Sequence, residues 1–376
     1  MAGIYIHIPF CRKACHYCNF HFSTSLGKAD SMVEAINTEI ILRAHELKED
    51  IETIYFGGGT PSILKPSQIS MLLDTISSNY SVAPSPEITL EANPDDISME
   101  KALAWKQMGI NRFSIGVQSF ADENLRWMNR AHDASQSIAC INTIREAGFD
   151  NFSIDLIYGT PGQTQADWVS DLEQAIELKI PHLSCYALTV EEGTALHHMI
   201  GSGKKEKISA DEQAERFEAL VKHSSAAGYM HYEISNLALP GKESKHNSAY
   251  WEGKPYLGIG PSAHSFSGKK RSWNIADNLQ YIQSIEAGIL PSEAEELRAI
   301  DQLNEYIMTA LRSIKGIQQD IVVKKWGLEK WQSIERGMQP FLTTGKAMAT
   351  DGGYTLTMEG RFFADGIASS LFFLEN

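Results

Sequence analysis

No stretch of this chain approaches the roughly 18 consecutive apolar residues that a membrane-spanning helix needs. Its opening, MAGIYIHIPFCRK, also lacks a basic region followed by an apolar core and a cleavage site. The expectation is a soluble, cytoplasmic protein with no transmembrane segment. Basic residues are in short supply as well: 33 Lys and Arg against 47 Asp and Glu leave a net charge of -14. Nonspecific nucleic-acid binding depends on cations that neutralise phosphates, so no nucleic-acid partner is expected. The short runs Lys204, Lys205, Lys207 and Lys269, Lys270, Arg271 read as solvated loops. Cysteine is scarce and odd in number, five in all, with three of them inside eight positions. Without an export signal that pattern excludes a disulfide framework and argues for metal. Cys140 and Cys185 stand alone in the apolar contexts SIACINTI and HLSCYALT and read as buried, inert thiols.

What is present is enough apolar residue, 43%, for a large α/β domain and a smaller second one, with no need of metal or disulfide staples to fold. Six β-like runs recur about every 30 residues, each followed by a segment of helical character. They are Ile4–Pro9, Thr53–Gly57, Glu87–Glu91, Arg112–Gln118, Asn151–Tyr158 and His182–Thr189. Between them lie the helical segments Asp30–Lys48, Pro66–Tyr80, Ser98–Met108, Ala134–Ala147 and Thr164–Leu178, most starting near a Ser, Thr or Asp able to cap. Alternating β and α units predict a parallel sheet with right-handed crossovers. Polar and glycine-rich segments follow the strands at the same place in each unit: HIPFC, FGGGTPS, EANP, GVQSF, DLIYGTPG and ALTVEEGT. That edge of a barrel-like parallel sheet is where ligands bind. Six units predict an α/β fold, an incomplete (β/α)6 barrel open on one side.

Cys11, Cys15 and Cys18 form a C-x3-C-x2-C pattern on the loop after the first strand. Three thiolates can hold an iron–sulfur cluster of four irons and leave one iron open. Structural zinc takes four ligands, and no second Cys pair exists here, although His16 or His21 could complete such a site. Glycines 57–59 let backbone groups approach a ligand, and a tight turn explains them equally well.

HIPFCRKACHYCNF, with Tyr5 six residues before Cys11, resembles the start of the radical S-adenosylmethionine (SAM) proteins related to oxygen-independent coproporphyrinogen III dehydrogenase (HemN) and the HemW haem chaperones. The resemblance runs on through FGGGTPS, LEANP, SIGVQSF, RAH, DLIYGTPGQT and YEISN, over nearly the whole chain. It implies a [4Fe-4S] cluster on Cys11, Cys15 and Cys18 whose open iron is chelated by SAM. An electron from that cluster cleaves a carbon–sulfur bond of SAM to give a 5′-deoxyadenosyl radical. It further implies that Gly58, Gly59 and Thr60 contact the methionyl group, and that Glu91, Gln118, Arg130 and Asp155 line the SAM site. Arg130 would offer a charged fork for the SAM carboxylate. Tyr5 and Tyr17, flanking the cluster loop, would wall off the adenine and the cluster, or else pack in the core.

Within that family the dehydrogenase branch carries a further cysteine two residues after the third, and a long N-terminal extension. Here Phe20 holds the extra-cysteine position and the first strand begins at Ile4. Both departures resemble the HemW branch, a haem chaperone that passes haem to apo-haemoproteins, rather than the porphyrinogen-oxidising enzyme. His246-Asn247-Ser248-Ala249-Tyr250-Trp251 matches an H-N-x-x-Y-W segment typical of HemW proteins. A neutral imidazole can ligate haem iron and the two aromatics could stack on the macrocycle, so His246 is a haem candidate, with His264 in YLGIGPSAHSF a weaker one. His7 reads as a hydrogen-bonded strand residue. The implied cofactors are the cluster, SAM and haem; the partners are apo-haemoproteins, with transient contact to a membrane protein as a further option.

The expected organisation is a radical SAM partial barrel over 1–235, a family-specific extension over 236–315 and a mainly helical, winged-helix-like domain over 316–376. Ser209–Gly228 reads as an amphipathic helix, His231–Leu237 as a further strand, and Asn274–Ala287 and Ser292–Ile314 as helical. The last part shows a helix, a short helix and a hairpin, Ala347–Thr350 and Tyr354–Met358, turning at Asp351-Gly352-Gly353 before a helix from Gly360. Its seven acidic and six basic residues favour a packing or lid role over DNA binding.

Overall fold

A computed structural model describes residues 2–374. The six strands β1 Ala2–Ile8, β2 Ile51–Gly58, β3 Val82–Ala92, β4 Arg112–Gln118, β5 Phe152–Tyr158 and β6 His182–Ala187 lie side by side in chain order, every neighbouring pair parallel. Alternation along a strand sends successive side chains to opposite faces. In β1 it places Ile4, Ile6 and Ile8 in the hydrophobic core and turns Gly3, Tyr5 and His7 the other way. The crossovers are helical: α1 Ala29–Leu42, α2 Pro66–Asn79, α3 Met99–Gln107, a short α4 Asp122–Trp127 followed by α5 Ala134–Glu146, and α6 Gln165–Glu177. Their starts are set by local chemistry. Pro66 stands at the first turn of α2, Ser98 caps α3, and Asp133 with Gln136 and Thr164 with Asp167 form reciprocal capping boxes on α5 and α6.

The sheet does not close. Beyond β6 lie β8 Asn236–Ala238 and then β7 Met230–His231, both antiparallel additions, so the expected strand over His231–Leu237 is a small hairpin instead. Beyond β1 lie β9 Tyr256–Ile259, parallel to it, and then β10 His264–Phe266, β11 Lys270–Asn274 and β12 Ser292–Glu296. These outer strands were not legible in the pattern, and β12 corrects the expected helix over Ser292–Ile314. Its sequence SEAEE favours helix by propensity, but Lys270 opposite Glu296 and Arg271 opposite Glu295 supply cross-strand charge pairs. The helix begins only at α11, Ala299–Leu311.

Helices α7 Ala195–Gly201, α8 Ala210–Ala226, α9 Lys245–Trp251 and α10 Asn278–Glu286 complete this body. A second hydrophobic core starts inside α11 with Leu303, Ile307 and Leu311. It gathers α12 Gln319–Trp326, α13 Leu328–Thr343 and the three-stranded sheet of β13 Ile317–Gln318, β14 Ala347–Thr350 and β15 Gly353–Leu356, then α14 Met358–Arg361 and α15 Ala364–Ser370. The order of helices followed by a β14–β15 hairpin is that expected of a winged helix. Among the described residues no helix is long and apolar enough to cross a membrane.

Candidate functional site

The loops at the carboxyl ends of β1–β6 surround a cavity of about 670 Å³, within the range of small-molecule and cofactor sites. Cys11, Cys15 and Cys18 all line it from the loop after β1. They are free thiols, and burial is the main cause that raises Cys11 and takes Cys18 up to about 11. Deprotonation must therefore accompany metal binding, which is how thiolate sites ordinarily load. Among the described residues no three His, Cys, Asp or Glu groups are gathered tightly enough for a single ion. The three thiols do line one shared space, as ligands of a single cluster must.

The loop is held by its neighbours. The Thr60 hydroxyl donates to Cys11 Sγ at 3.4 Å and accepts from Asn93 Nδ2 at 3.3 Å. Arg130 Nη1 donates to Cys15 Sγ at 3.2 Å, while its Nη2 donates to Asn93 Oδ1 at 2.7 Å and to the Gly116 carbonyl at 2.8 Å. That leaves Arg130 Nε buried without a partner. The guanidinium therefore braces the cluster loop with three of its five N–H donors and keeps Nε and one Nη1 hydrogen for a ligand.

Glycines 57–59 are needed first for packing. A Cβ on Gly59 would come within 2.5 Å of the Phe10 carbonyl oxygen, one on Gly58, at φ +109°, within 2.6 Å of the His7 ring, and one on Gly57 within 3.0 Å of Glu91. Gly58 and Gly59 still reach the cavity wall. Glu91 accepts from the Tyr55 phenol at 2.7 Å and from the Gly58 amide at 3.2 Å. Burial nonetheless pushes its pKa up to about 8, and that of Asp155 up to about 6 against hydrogen bonds from Ser184 and Ser114 that lower it. Gln118 lines the cavity in the left-handed region, φ 69°, at an irregularity in the β4–β5 ladder. A buried non-glycine residue there stores strain of a kind found at ligand sites.

Of the residues expected around SAM, Tyr17, Gly58, Gly59, Thr60, Glu91, Gln118, Arg130 and Asp155 share this cavity. Tyr5 does not. It lies one layer deeper, its phenol bonded to His7 Nδ1 at 3.1 Å and its ring stacked on Tyr55, because the β1 alternation aims it into the barrel below Gly57. His246, the haem candidate, also lies outside the cavity wall. It is buried on α9 against Gly3 and Tyr55, with Nδ1 bonded to Thr53 Oγ1 at 2.7 Å and Nε2 to the Tyr250 hydroxyl at 2.9 Å. Both ring nitrogens are engaged, and burial takes its pKa down to about 3. His264 is exposed on β10 beside Trp273, outside the cavity wall.

Residues 5–175 match the radical SAM superfamily. Over 333 residues the chain is 36% identical to the haem chaperone HemW of Bacillus subtilis (strain 168), covering 87% of each. Over 375 residues it is 33% identical to the haem chaperone HemW of Mycobacterium tuberculosis (strain H37Rv), covering 98% of this chain and 94% of that protein. The chain belongs to the HemW family. It is also similar in fold to a solved radical SAM enzyme, coproporphyrinogen III oxidase (HemN) from Escherichia coli, with a TM-score of 0.86 and 25% identity over 99% of this chain and 90% of that one. Two residues beyond the last loop cysteine stands Phe20, 66% exposed and on the cavity wall.

Several cavity residues escaped the sequence reading. Asn93 stood inside the quoted EANP segment, and its amide is what joins Thr60 to Arg130. Tyr186, Ile157 and Leu188 come from the β5 and β6 ends, and Arg312 and Asp365 from beyond the barrel, where no periodicity signals that a residue will reach the cavity.

Proposed function

We propose that this chain carries a [4Fe-4S] cluster on Cys11, Cys15 and Cys18, holds SAM beside it, binds haem in the same cavity and passes the haem to apo-haemoproteins. The observation that carries the cofactor reading is the convergence of three thiols, a carboxylate-bearing floor and a strained Gln118 on one cavity. The HemW relatives support the haem reading. When bound, the cluster and SAM supply one-electron chemistry at a carbon–sulfur bond. The chain's own residues do the positioning: Thr60 and Arg130 fix the cluster loop, Glu91 and Asp155 offer acceptors to the ligand's hydroxyls and cationic groups, and Tyr17 covers the thiol end.

Both ring nitrogens of His246 are bonded within the fold, and the cavity offers haem an aromatic and apolar wall, so on this reading the haem is held mainly by its plate and periphery. Weak axial ligation suits a carrier that must surrender its cargo. His264 is the accessible imidazole of the two candidates and would act, if at all, during handover.

The test is anaerobic reconstitution with iron and sulfide, followed by titration with haem and, in parallel, incubation with SAM and coproporphyrinogen III. Cluster absorbance, haem binding and haem transfer to an apo-haemoprotein are expected. Porphyrinogen turnover without stable haem binding would overturn the carrier reading.

A further inference from the structure

The cavity has two chemically different ends. Four cationic side chains line it among the described residues: Arg12, Lys13, Arg130 and Arg312. Arg12 and Lys13 belong to the cysteine loop, the first paired with Asp96 at 2.9 Å and the second donating to the Arg130 carbonyl, and Arg130 touches Cys15. Arg312 stands apart, at the wall built by the β7–β8 turn and the C-terminal region, next to Ile234, Ser235 and Asp365. Past β5 and β6 that end is lined by Ile157, Tyr158, Tyr186, Ala187 and Leu188, with Thr189 and Glu191 following on the loop after β6. It is a mainly apolar and aromatic surface whose rim carries one cation, Arg312, and two carboxylates, Glu191 and Asp365.

Arg312 is firmly placed. The Ile234 amide donates to its carbonyl at 3.1 Å, the Ile314 amide donates to the Tyr232 carbonyl at 2.9 Å, and Glu233 pairs with Ser313 in an antiparallel bridge. Its guanidinium lies 5.6 Å from the Trp251 ring centroid, the last residue of α9, a cation–π platform that orients a charged fork without neutralising it. Its ionic partner is Asp365, bonded from Nη1 at 2.5 Å, whose side chain is 80% exposed. An exposed carboxylate on an arginine whose side chain is 26% exposed is a weak pair that another carboxylate can replace. The H-N-x-x-Y-W segment thus serves the cavity from both ends: His246 and Tyr250 anchor α9 inside the barrel, and Trp251 presents Arg312.

We infer that Arg312 is the seat for a carboxylate on the edge of the planar ligand, with Asp365 occupying it in the empty protein. This deepens the haem reading above and rests on it. Haem is an apolar plate with two propionates on one edge, which matches an apolar wall with a guanidinium at its rim, and Arg binds carboxylates with directed, paired donors.

The test uses full-length, cluster-loaded protein titrated with haem and with haem dimethyl ester, which has the same plate but no carboxylates. Wild type is expected to bind haem at least about tenfold more tightly than the ester, the scale of one charge-assisted hydrogen bond, and Arg312→Gln to bind both equally. Arg312→Lys keeps the charge without the fork and should restore part of the preference. Asp365→Asn should tighten haem two- to fivefold, roughly what removal of an exposed competitor provides. An unchanged haem-to-ester ratio in Arg312→Gln overturns the assignment, as does a tenfold loss of SAM affinity in that variant, which would give the guanidinium to the SAM carboxylate. Wild type that binds neither porphyrin removes the haem reading itself; wild type that binds both alike removes only this inference.

Discussion

The Tyr55 phenol donates a 2.7 Å hydrogen bond to Glu91, yet the carboxyl keeps a pKa of about 8 because the burial that raises it exceeds the bonds that lower it. In the folded, cofactor-free protein Glu91 therefore holds a proton that the unfolded chain releases near pH 4.5. Between those values the folded state binds more protons, so this residue makes stability fall as pH rises. Glu91→Gln should flatten that decline by an amount of order 1–3 kcal/mol, read as the melting temperature of apo-protein from pH 5 to pH 8. An unaltered pH profile would mean that Glu91 is ionised in the fold.

The buried histidines act in the opposite sense. His246, with a pKa of about 3, and His7, His132 and His231, each near 4, are neutral in the fold and must charge on unfolding. Below the ordinary value of 6.5 the unfolded chain binds more protons, so stability drops as pH falls from 6.5 toward 4. Truncation of His246 to Ala should lower unfolding free energy by about 2–4 kcal/mol, since it opens a cavity and strands the Thr53 and Tyr250 hydroxyls. The haem spectrum of its folded fraction should match wild type; a shifted Soret band would restore His246 as an iron ligand.

Single Cys→Ser changes at Cys11, Cys15 and Cys18 should each bring iron content after anaerobic reconstitution to near background. The same change at buried Cys140 or Cys185 should leave iron and sulfide intact and instead cost about 1–2 kcal/mol of stability. Loss of iron in Cys140→Ser would point to a different ligand set.

Gln118→Gly separates strain from function. Glycine accepts φ 69° freely, so the backbone gains up to about 1 kcal/mol, partly offset by the lost buried side chain. Thermal stability should change little while SAM affinity, measured calorimetrically, falls about tenfold. Unchanged SAM binding would remove Gln118 from the site.

The six-strand barrel was legible because each unit repeats the same local physics: an apolar run of period two, a polar loop and a capped helix. The residues expected at the cavity came out together wherever they sat at a strand's carboxyl end, as Glu91, Gln118 and Asp155 do. Depth below the cavity was not legible. Tyr5 and His246 have the right chemistry, but only the direction of β1 and the docking of α9 show that they lie beneath the floor. Nor were β12 and Arg312 legible, since their placement depends on partners distant in sequence: Arg271 and Lys270 across the ladder, Trp251 under the guanidinium.

Strand β9 has a consequence for the order of assembly. β1, which leads into the cysteine loop, is flanked by β2 on one side and on the other by Tyr256–Ile259, some 250 residues later in the chain. Gly260 then presses against the His7 carbonyl so closely that a Cβ there would come within 2.5 Å of it. The strand that carries the first cysteine loop thus stays an unpaired edge during synthesis until two-thirds of the polypeptide has emerged, and contacts of such long range form slowly. Iron delivered before β9 emerges would meet a loop with no settled base, so the order of events favours cluster insertion after β9 has docked.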